Sequence, residues 1–187
     1  MKVFTAKNEV ENYTSTRYWN SLPEIVPSVV FQTRVEVDGN WNWQSLTTYD
    51  IFADKKVLIF SLPGAFTPTC STFQLPTFEA LAPKFYEKGF SDIYCVSVND
   101  SFVMNKWAAS LDVQNIKMIP DGNAKFTENM NMIVDKENLG FGRRSWRYAA
   151  VVENGTITSW FIEEGREDNC EEDPYMYTNP SYILENV

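Results

Sequence analysis

The chain has 187 residues and contains no histidine. This absence excludes serine–histidine and cysteine–histidine catalysis, and it removes the side chain that most often binds a metal. A reactive cysteine in this chain must therefore be activated by other groups, such as an arginine, a helix N-terminus or neighbouring hydroxyls. A zinc site would need more cysteine and histidine than the sequence holds, and we expect neither a metal nor a cofactor.

Cysteine is also scarce, because the sequence has only three, Cys70, Cys95 and Cys170. A dispersed, odd-numbered set is not a disulfide framework, and it favours a reducing, cytoplasmic compartment. Positive charge is in deficit as well, with 16 Lys and Arg against 25 Asp and Glu and a formal net charge of −9. A surface this acidic argues against nucleic acid and anionic lipid as partners.

Long apolar runs are missing from the sequence. No stretch is long enough to cross a membrane, and the first nine residues lack the apolar core of an export signal. The length and the hydrophobic content of 44% suit one globular domain. Residues 1–22 are polar and show no periodicity, so we predict an N-terminal extension there, followed by a single domain over residues 23–187.

Strand-like and helix-like segments alternate through the rest of the chain. The predicted strands are residues 29–37, 40–44, 57–62, 93–98, 117–119, 147–152 and 156–162. The first predicted helices are a short one capped by residue 47 or 48 that carries residues 51 and 52, and one through 78–85. The later ones are one capped at residue 99 or 100 in which residues 103, 107 and 111 share a face, one over 124–130, and one opening at 179–180. This order predicts an α/β fold, with a mixed central sheet, helices on both faces and an N-terminal hairpin.

The segment Pro63-Gly-Ala-Phe-Thr-Pro-Thr-Cys70 is the most informative passage of the chain. It follows the strand-like run 57–62 and precedes a segment with helical periodicity. Cys70 is therefore predicted in the first turn of a helix, at the carboxyl end of a central strand, where open α/β sheets place their active sites. Unpaired backbone N–H groups at such a position favour the thiolate, which is the nucleophilic form of cysteine.

The residues around Cys70 distinguish it from an ordinary buried cysteine. The hydroxyl of Thr67 is expected to donate a hydrogen bond to the sulfur, while Pro63 and Pro68 stiffen the loop and shield the sulfur from water. Cys95, in contrast, lies within an apolar strand-like run and is interpreted as a small buried hydrophobic residue.

Two other cysteine chemistries are disfavoured by the same segment. There is no Cys-x-x-Cys pair, because Thr67 and Phe73 occupy those positions relative to Cys70, and this disfavours a thioredoxin-type dithiol. Residues 71–76 contain no arginine, although a phosphatase loop needs one soon after its cysteine.

The pattern Pro63-x-x-x-Thr67-x-x-Cys70 resembles the active-site motif of the peroxiredoxins, which are thiol peroxidases with a thioredoxin-like fold. The segment 63–71 is similar to the peroxiredoxin-5 group and its bacterial relatives, including the peroxiredoxin half of peroxiredoxin–glutaredoxin hybrids. Further segments that agree with this group are residues 97–103, 119–123, 140–148 and 168–175. The resemblance covers most of the chain, up to the C-terminus.

The resemblance implies a role for each residue of the motif. Cys70 would attack hydrogen peroxide or an organic hydroperoxide and become a sulfenic acid. Arg147 matches the arginine of the family, and it would stabilise the thiolate and the charge on the departing oxygen. Thr67 would hold the sulfur and a peroxide oxygen, and Pro63 would act as a shield.

Two other arginines are close to Arg147 in sequence. Arg143 and Arg144 are expected in the loop before the strand of Arg147, on a solvated surface. We therefore assign neither of them a role in the chemistry.

The resemblance also implies how the sulfenic acid is reduced. Cys170 lies where the peroxiredoxin-5 group keeps a resolving cysteine, yet the adjacent Glu171 and Glu172 disfavour its thiolate. Cys170 is therefore either a resolving residue or a non-essential thiol. The implied reductants are glutathione with glutaredoxin, or thioredoxin, and the implied assembly is a homodimer.

Two alternative functions stay open at this point. The same oxidation of Cys70 would serve a peroxide-sensing redox switch. An inert Cys70 would leave a non-catalytic interaction domain with a thioredoxin-like fold.

Overall fold

The computed structural model describes residues 21–187. The predicted extension over residues 1–22 lies almost entirely outside the described residues, so the division of the chain at residue 22 stays a prediction. The strands of the described part are β1 Val30–Val37, β2 Asn40–Thr47, β3 Lys56–Ser61, β4 Asp92–Ser97, β5 Ile116–Pro120, β6 Ile133–Lys136, β7 Gly142–Ser145, β8 Tyr148–Glu153 and β9 Thr156–Ile162.

Helices alternate with these strands along the chain. They are α1 Thr48–Phe52, α2 Leu75–Glu87, α3 Ser101–Ser110, α4 Lys125–Asn129 and α5 Pro180–Glu185, together with a π-helical turn at Cys70–Gln74 and a 3₁₀ turn at Glu137–Leu139. No helix within residues 21–187 is both long and apolar enough to span a membrane.

The central sheet has the strand order β5-β4-β3-β8-β9. Strands β3, β4 and β5 run parallel to one another, whereas β8 is antiparallel to both β3 and β9. Two-stranded antiparallel hairpins are formed by β1 with β2 and by β6 with β7. This arrangement confirms the predicted α/β fold with a mixed central sheet and an N-terminal hairpin.

Side chains of the central strands alternate between two cores, because successive residues of a strand point to opposite faces. Leu58 and Phe60 pack on the face that α2, α3 and α5 cover. Val57 and Ile59 pack on the opposite face, which α1, α4 and the β1–β2 hairpin cover. The sheet is therefore buried on both sides, as the apolar character of its central strands predicted.

The two hairpin turns and the cap of α3 lie at the positions that the local sequence predicted. Asp38 and Gly39 both adopt positive φ angles, 51° and 76°, in the turn between β1 and β2. This conformation suits a two-residue hairpin, and the pair formed by Asn154 and Gly155 repeats it between β8 and β9. Asp100 caps α3 by accepting hydrogen bonds from the backbone N–H groups of two residues in its first turn.

Some of the sequence-based predictions were wrong in detail. Strands β6 and β7 were not predicted, because each has only four residues and carries polar or charged side chains. Arg143 and Arg144 consequently lie on strand β7 and not in a loop. In α3 the buried side chains are Ser101, Met104 and Trp107. Of the three residues predicted to share the inward face, 103, 107 and 111, only Trp107 is among them, so the buried face is rotated from the predicted one.

Candidate active site

Cys70 lies at the start of the helix that follows β3. The N–H of Ser71 donates to the carbonyl of Thr67 at 3.0 Å, and the N–H of Leu75 donates to the carbonyl of Cys70. The second bond spans five residues and makes the turn at Cys70–Gln74 π-helical. Cys70 therefore lies in the first turn of the helix, as the sequence indicated. Its side chain is completely buried.

Strand pairing brings Arg147 to the same end of the sheet. Tyr148 of β8 lies opposite Ser61, the last residue of β3, and Arg147 immediately precedes Tyr148. Its Nη1 lies 3.5 Å from the Sγ of Cys70, and the residue is only 1% exposed. A buried positive charge at this distance favours the thiolate over the neutral thiol.

Arg147 has two further partners that the sequence analysis missed. Its Nη1 also donates to the Oε1 of Gln74, and its Nη2 donates to the Oδ1 of Asp173. The guanidinium carbon lies 5.8 Å from the centre of the Tyr175 ring. Together these contacts fix the orientation of the guanidinium.

The charge of Arg147 is secured by its neighbours. Burial alone would lower the pKa of Arg147, but the negative charges of Cys70 and Asp173 outweigh burial and raise that pKa above its usual value. The guanidinium is therefore a fixed positive charge that cannot act as an acid or a base in this site.

The hydrogen bond expected from Thr67 to the sulfur was wrong. The Oγ1 of Thr67 donates instead to the carbonyl of Gly64 at 2.8 Å, because the tight turn of the loop brings that carbonyl within reach. A hydroxyl has a single proton, so only the lone pairs of Thr67 remain to accept a hydrogen bond from another molecule.

The loop that covers Cys70 is held from the side of β4. The Oδ1 of Asn99 accepts a hydrogen bond from the N–H of Ala65 at 3.0 Å. Arg144 is half-buried and donates to the carbonyls of Val98 and Phe141. The expectation of a solvated surface was therefore wrong for Arg144, which supports the structure next to the loop.

Arg143 fits the predicted surface position better than Arg144. It is exposed and forms an ion pair with Glu128 on the protein surface. Exposed pairs of this kind contribute about 0–1 kcal/mol to stability, and the pair does not include any residue that contacts Cys70.

A narrow cleft of about 120 Å³ borders the loop that covers Cys70. Its walls are formed by Pro63, Thr67, Pro68, Lys136, Leu139, Phe141, Cys170, Glu171, Glu172 and Asp173. Pro63 thus contributes an apolar wall beside the reactive segment, which fits the expected role of a shield.

The other two cysteines differ in their relation to this cleft. All three cysteines are free thiols. Cys170 is buried but lines the cleft together with Thr67, and its carbonyl accepts a hydrogen bond from the Nζ of Lys136 at 2.6 Å. Cys95 lies inside β4, where burial raises the pKa of its thiol well above 9, as expected for an inert core cysteine.

The segment that carries Cys170 and Asp173 is fixed by a buried carboxylate. The Oε1 of Glu163 accepts hydrogen bonds from the N–H of Met176 and from both the N–H and the hydroxyl of Thr178. The Nε1 of Trp146, next to Arg147, donates to the carbonyl of Glu163. These bonds close the segment into a loop over the active site. Sequence patterns gave no signal for this closure.

Within residues 21–187, no group of three or more His, Cys, Asp and Glu side chains is arranged to hold a metal ion. Among the described residues, the side chain that hydrogen-bonds to the Sγ of Cys70 is that of Arg147, and the hydroxyl-bearing ring of Tyr175 lies near both groups. A cysteine thiol at a helix start against a buried arginine from a distant strand, with no arginine in the turn after the cysteine, is typical of thiol-based oxidoreductases.

The chain belongs to the Redoxin family, whose model matches residues 21–177. A peroxiredoxin of Rhizobium etli is 54% identical over 169 residues, which cover 88% of this chain and 94% of that protein. A hybrid peroxiredoxin of Haemophilus influenzae is 49% identical, and the match covers 85% of this chain and 63% of that longer protein.

Solved structures agree with this assignment. The crystal structure of an antioxidant protein from Plasmodium falciparum, described as a 1-Cys peroxiredoxin, superposes with a TM-score of 0.81 at 39% identity. The match covers 87% of this chain and 98% of that chain. The thioredoxin-like fold is thereby confirmed, and so is the enzyme class, which is that of thiol-dependent peroxidases.

Proposed function

We propose that Cys70 is the nucleophile of this peroxidase and that Arg147 stabilises the charges of the reaction. The observation that carries the proposal is the 3.5 Å contact between the Nη1 of Arg147 and the Sγ of Cys70 in a buried setting. The thiolate attacks the terminal oxygen of a hydroperoxide. A sulfur–oxygen bond forms, the oxygen–oxygen bond breaks, and the departing oxygen takes up a proton to leave as water or an alcohol.

The remaining groups position the peroxide. Arg147 offers N–H donors to the departing oxygen, and each well-placed donor typically lowers a barrier by about 3 kcal/mol. Thr67 accepts a hydrogen bond from the O–H of the hydroperoxide, because its own proton is given to Gly64. Pro63 excludes water from one side of the cleft.

A single-turnover experiment tests this proposal. Reduced protein is mixed with one equivalent of hydrogen peroxide, and the oxidised residue is located by mass spectrometry after a sulfenic acid probe is added. We expect the probe on Cys70. Oxidation at Cys95 or Cys170 in a Cys70→Ser variant, at the rate of the wild type, would overturn the assignment.

For recycling we propose a one-cysteine cycle, in which glutathione with glutaredoxin, or thioredoxin, reduces the Cys70 sulfenic acid. The description of the Plasmodium falciparum protein as a 1-Cys peroxiredoxin supports this cycle. The test is steady-state turnover of Cys170→Ser with each reductant. Unchanged turnover is expected, and loss of turnover with intact first oxidation would show a two-cysteine cycle.

A resolving role for Cys170 is the second candidate. It is favoured by one observation, that Cys170 lines the same cleft as Thr67. The buried position of Cys170 and the hydrogen bond from Lys136 to its carbonyl mean that this segment would have to move before a disulfide formed. A peroxide-treated sample that runs as a Cys70–Cys170 disulfide in peptide mapping would support this candidate.

We further propose that the protein is a homodimer. Large aromatic side chains are exposed near the active-site end, including Phe66 at 55% and Phe73 at 57%, on either side of Cys70 in sequence. Aromatic side chains are enriched at protein–protein interfaces. Sedimentation equilibrium of the wild type and Phe66→Asp tests the proposal, with a shift of the variant towards monomer expected.

We also propose that the protein works in the cytoplasm. All three of its cysteines are free thiols, and this is the state that a reducing compartment maintains. Fractionation of the source cells with an antibody against the protein tests this placement, and recovery from an exported fraction would contradict it.

A further inference from the structure

The cleft beside the Cys70 loop has walls of different charge. One wall is uncharged and includes Pro63, Thr67 and Pro68. Three consecutive carboxylates, Glu171, Glu172 and Asp173, line another part of the cleft. Thr67 and Pro68 belong to the turn that leads into Cys70, so a molecule held in the cleft lies beside the reactive segment and against these three carboxylates.

The three carboxylates are not equivalent. Asp173 is engaged by the guanidinium of Arg147, so the two charges largely cancel. Glu171 and Glu172 are exposed, and neither makes an ion pair or a side-chain hydrogen bond within the part of the chain that the structure describes. Their charges are therefore the ones that an approaching molecule meets first.

Lys136 also lines the cleft, and its charge is of the opposite sign. Its side chain is almost fully buried, and its ammonium donates to the carbonyl of Cys170 at 2.6 Å. Lys136 thus offers little to a molecule in solution. With Lys136 counted against Glu171, Glu172 and Asp173, the charges that line the cleft still sum to a negative value.

From this arrangement we infer that Glu171 and Glu172 are specificity-determining residues, which direct the enzyme towards small uncharged hydroperoxides and against hydroperoxides that carry a carboxylate. The inference rests on the proposed peroxidase function. A cleft of about 120 Å³ fits hydrogen peroxide or a short alkyl hydroperoxide. Charge on the walls of a cleft changes the rate at which a charged substrate arrives by about 10- to 1000-fold.

A matched pair of substrates tests the inference. The probes are a hydroperoxide of a short branched carboxylic acid and the methyl ester of the same molecule, with tert-butyl hydroperoxide as the uncharged reference. The rate constant of Cys70 oxidation is measured for each by rapid mixing, at low and at high salt. The two probes differ in charge and hardly in size.

For the wild type we expect the acid to react about tenfold more slowly than the ester at low salt. The difference should shrink at high salt, because the screening length falls from about 30 Å at 0.01 M to about 8 Å at 0.15 M. In the double variant Glu171→Gln/Glu172→Gln the rate for the acid should rise towards that of the ester. The rates for the ester and for tert-butyl hydroperoxide should stay unchanged, which also shows that the site is intact.

The control is a second double variant, Glu153→Gln/Glu185→Gln. It removes the same charge at two exposed glutamates outside the cleft, Glu153 being at the far end of β8 from Arg147. Equal rates for acid and ester in the wild type at low salt would overturn the inference. An equal gain for the acid in the control variant would overturn it as well, because the effect would then come from the net charge of the chain.

Failure of the proposed function would look different. In that case neither hydrogen peroxide nor tert-butyl hydroperoxide would oxidise Cys70, and the inference would fall with the function. Oxidation of Cys70 by the uncharged hydroperoxides together with no discrimination against the acid would overturn the inference alone.

Discussion

Cys70 and Cys95 are both completely buried, and both belong to the core cluster on the same face of the central sheet. Cys95 sits in the middle of β4, surrounded by apolar strand residues. Cys70 sits where a helix begins, 3.5 Å from the guanidinium of Arg147. The two thiols therefore share their burial and differ in the charge that faces them.

We infer from this difference that burial alone does not decide whether a cysteine reacts. For Cys95 burial is the dominant influence, and it raises the pKa of the thiol so that the nucleophilic form is suppressed. At Cys70 a fixed positive charge is buried beside the sulfur, and this opposes the cost of placing a thiolate in the protein interior. The candidate site thus places a buried positive charge beside a sulfur at the edge of an otherwise apolar core.

The largest expected effect comes from replacing each of the two cysteines by serine in a separate variant. Cys70→Ser should abolish reduction of hydrogen peroxide, whereas Cys95→Ser should leave the rate within about twofold of the wild type, because Cys95 is not ionised. The measurement is peroxide consumption in rapid-mixing experiments. A large loss in Cys95→Ser with the fold preserved would break the comparison.

The next largest effect should follow from removal of the positive charge. Arg147→Ala should lower the rate of Cys70 oxidation by about 100- to 1000-fold, because it removes the donor to the thiolate and to the departing oxygen. Arg143→Ala is the matched control, since Arg143 lies at the surface and pairs with Glu128. If the two variants lost similar activity, the role of Arg147 would be refuted.

A smaller effect is expected at Gln74, whose amide oxygen accepts a hydrogen bond from Arg147. Gln74→Leu leaves a buried N–H of Arg147 without this acceptor, which costs about 1–3 kcal/mol of unfolding free energy. The rate of Cys70 oxidation should fall about tenfold, because the guanidinium loses a contact that orients it towards the sulfur and a loss of about 1.4 kcal/mol in transition-state stabilisation corresponds to a factor of ten. Urea unfolding and rapid mixing measure the two effects, with Gln44→Leu on the exposed hairpin as the control. Unchanged values in both assays would remove Gln74 from the account.

The smallest effect concerns the pH dependence of stability. The pKa of Cys95 in the folded state is raised above 9, so the unfolded chain loses this proton first as the pH rises. Cys95 therefore makes the free energy of unfolding fall above pH 9, by up to about 1.4 kcal/mol per pH unit.

A comparison of the wild type with Cys95→Ala isolates this contribution from that of other groups. Urea unfolding at about pH 8 and about pH 10 should show a larger loss of stability in the wild type than in the variant. Equal losses in the two proteins would mean that Cys95 ionises as readily in the folded chain as in the unfolded one.

The part of the site that the sequence predicted is the part with a local signal. A strand-like run, a proline-rich turn and a helical period place Cys70 at a helix start, and these features lie within one short stretch of chain. Asp100 and the two hairpin turns were predicted for the same reason, because caps and tight turns depend on a few adjacent residues.

The part that could not be predicted depends on distant segments. Glu163 accepts hydrogen bonds from the backbone of residues 176 and 178, and this closes the loop over residues 164–175. Asp173 lies in that loop and contacts Arg147. The proton of Thr67 goes to Gly64 because of the shape of one turn, which residue types alone do not determine. Nothing in the sequence pattern indicates either arrangement.

The central claim is that Arg147 keeps Cys70 ionised, and the ultraviolet absorbance of the thiolate tests it most directly. The measurement uses a Cys95→Ser/Cys170→Ser background, so that Cys70 is the only thiol, and compares it with the same protein carrying Arg147→Ala. The account predicts thiolate absorbance at neutral pH with Arg147 present and its loss in the alanine variant. Absence of the thiolate signal in both proteins, or an equal signal in both, would contradict the account.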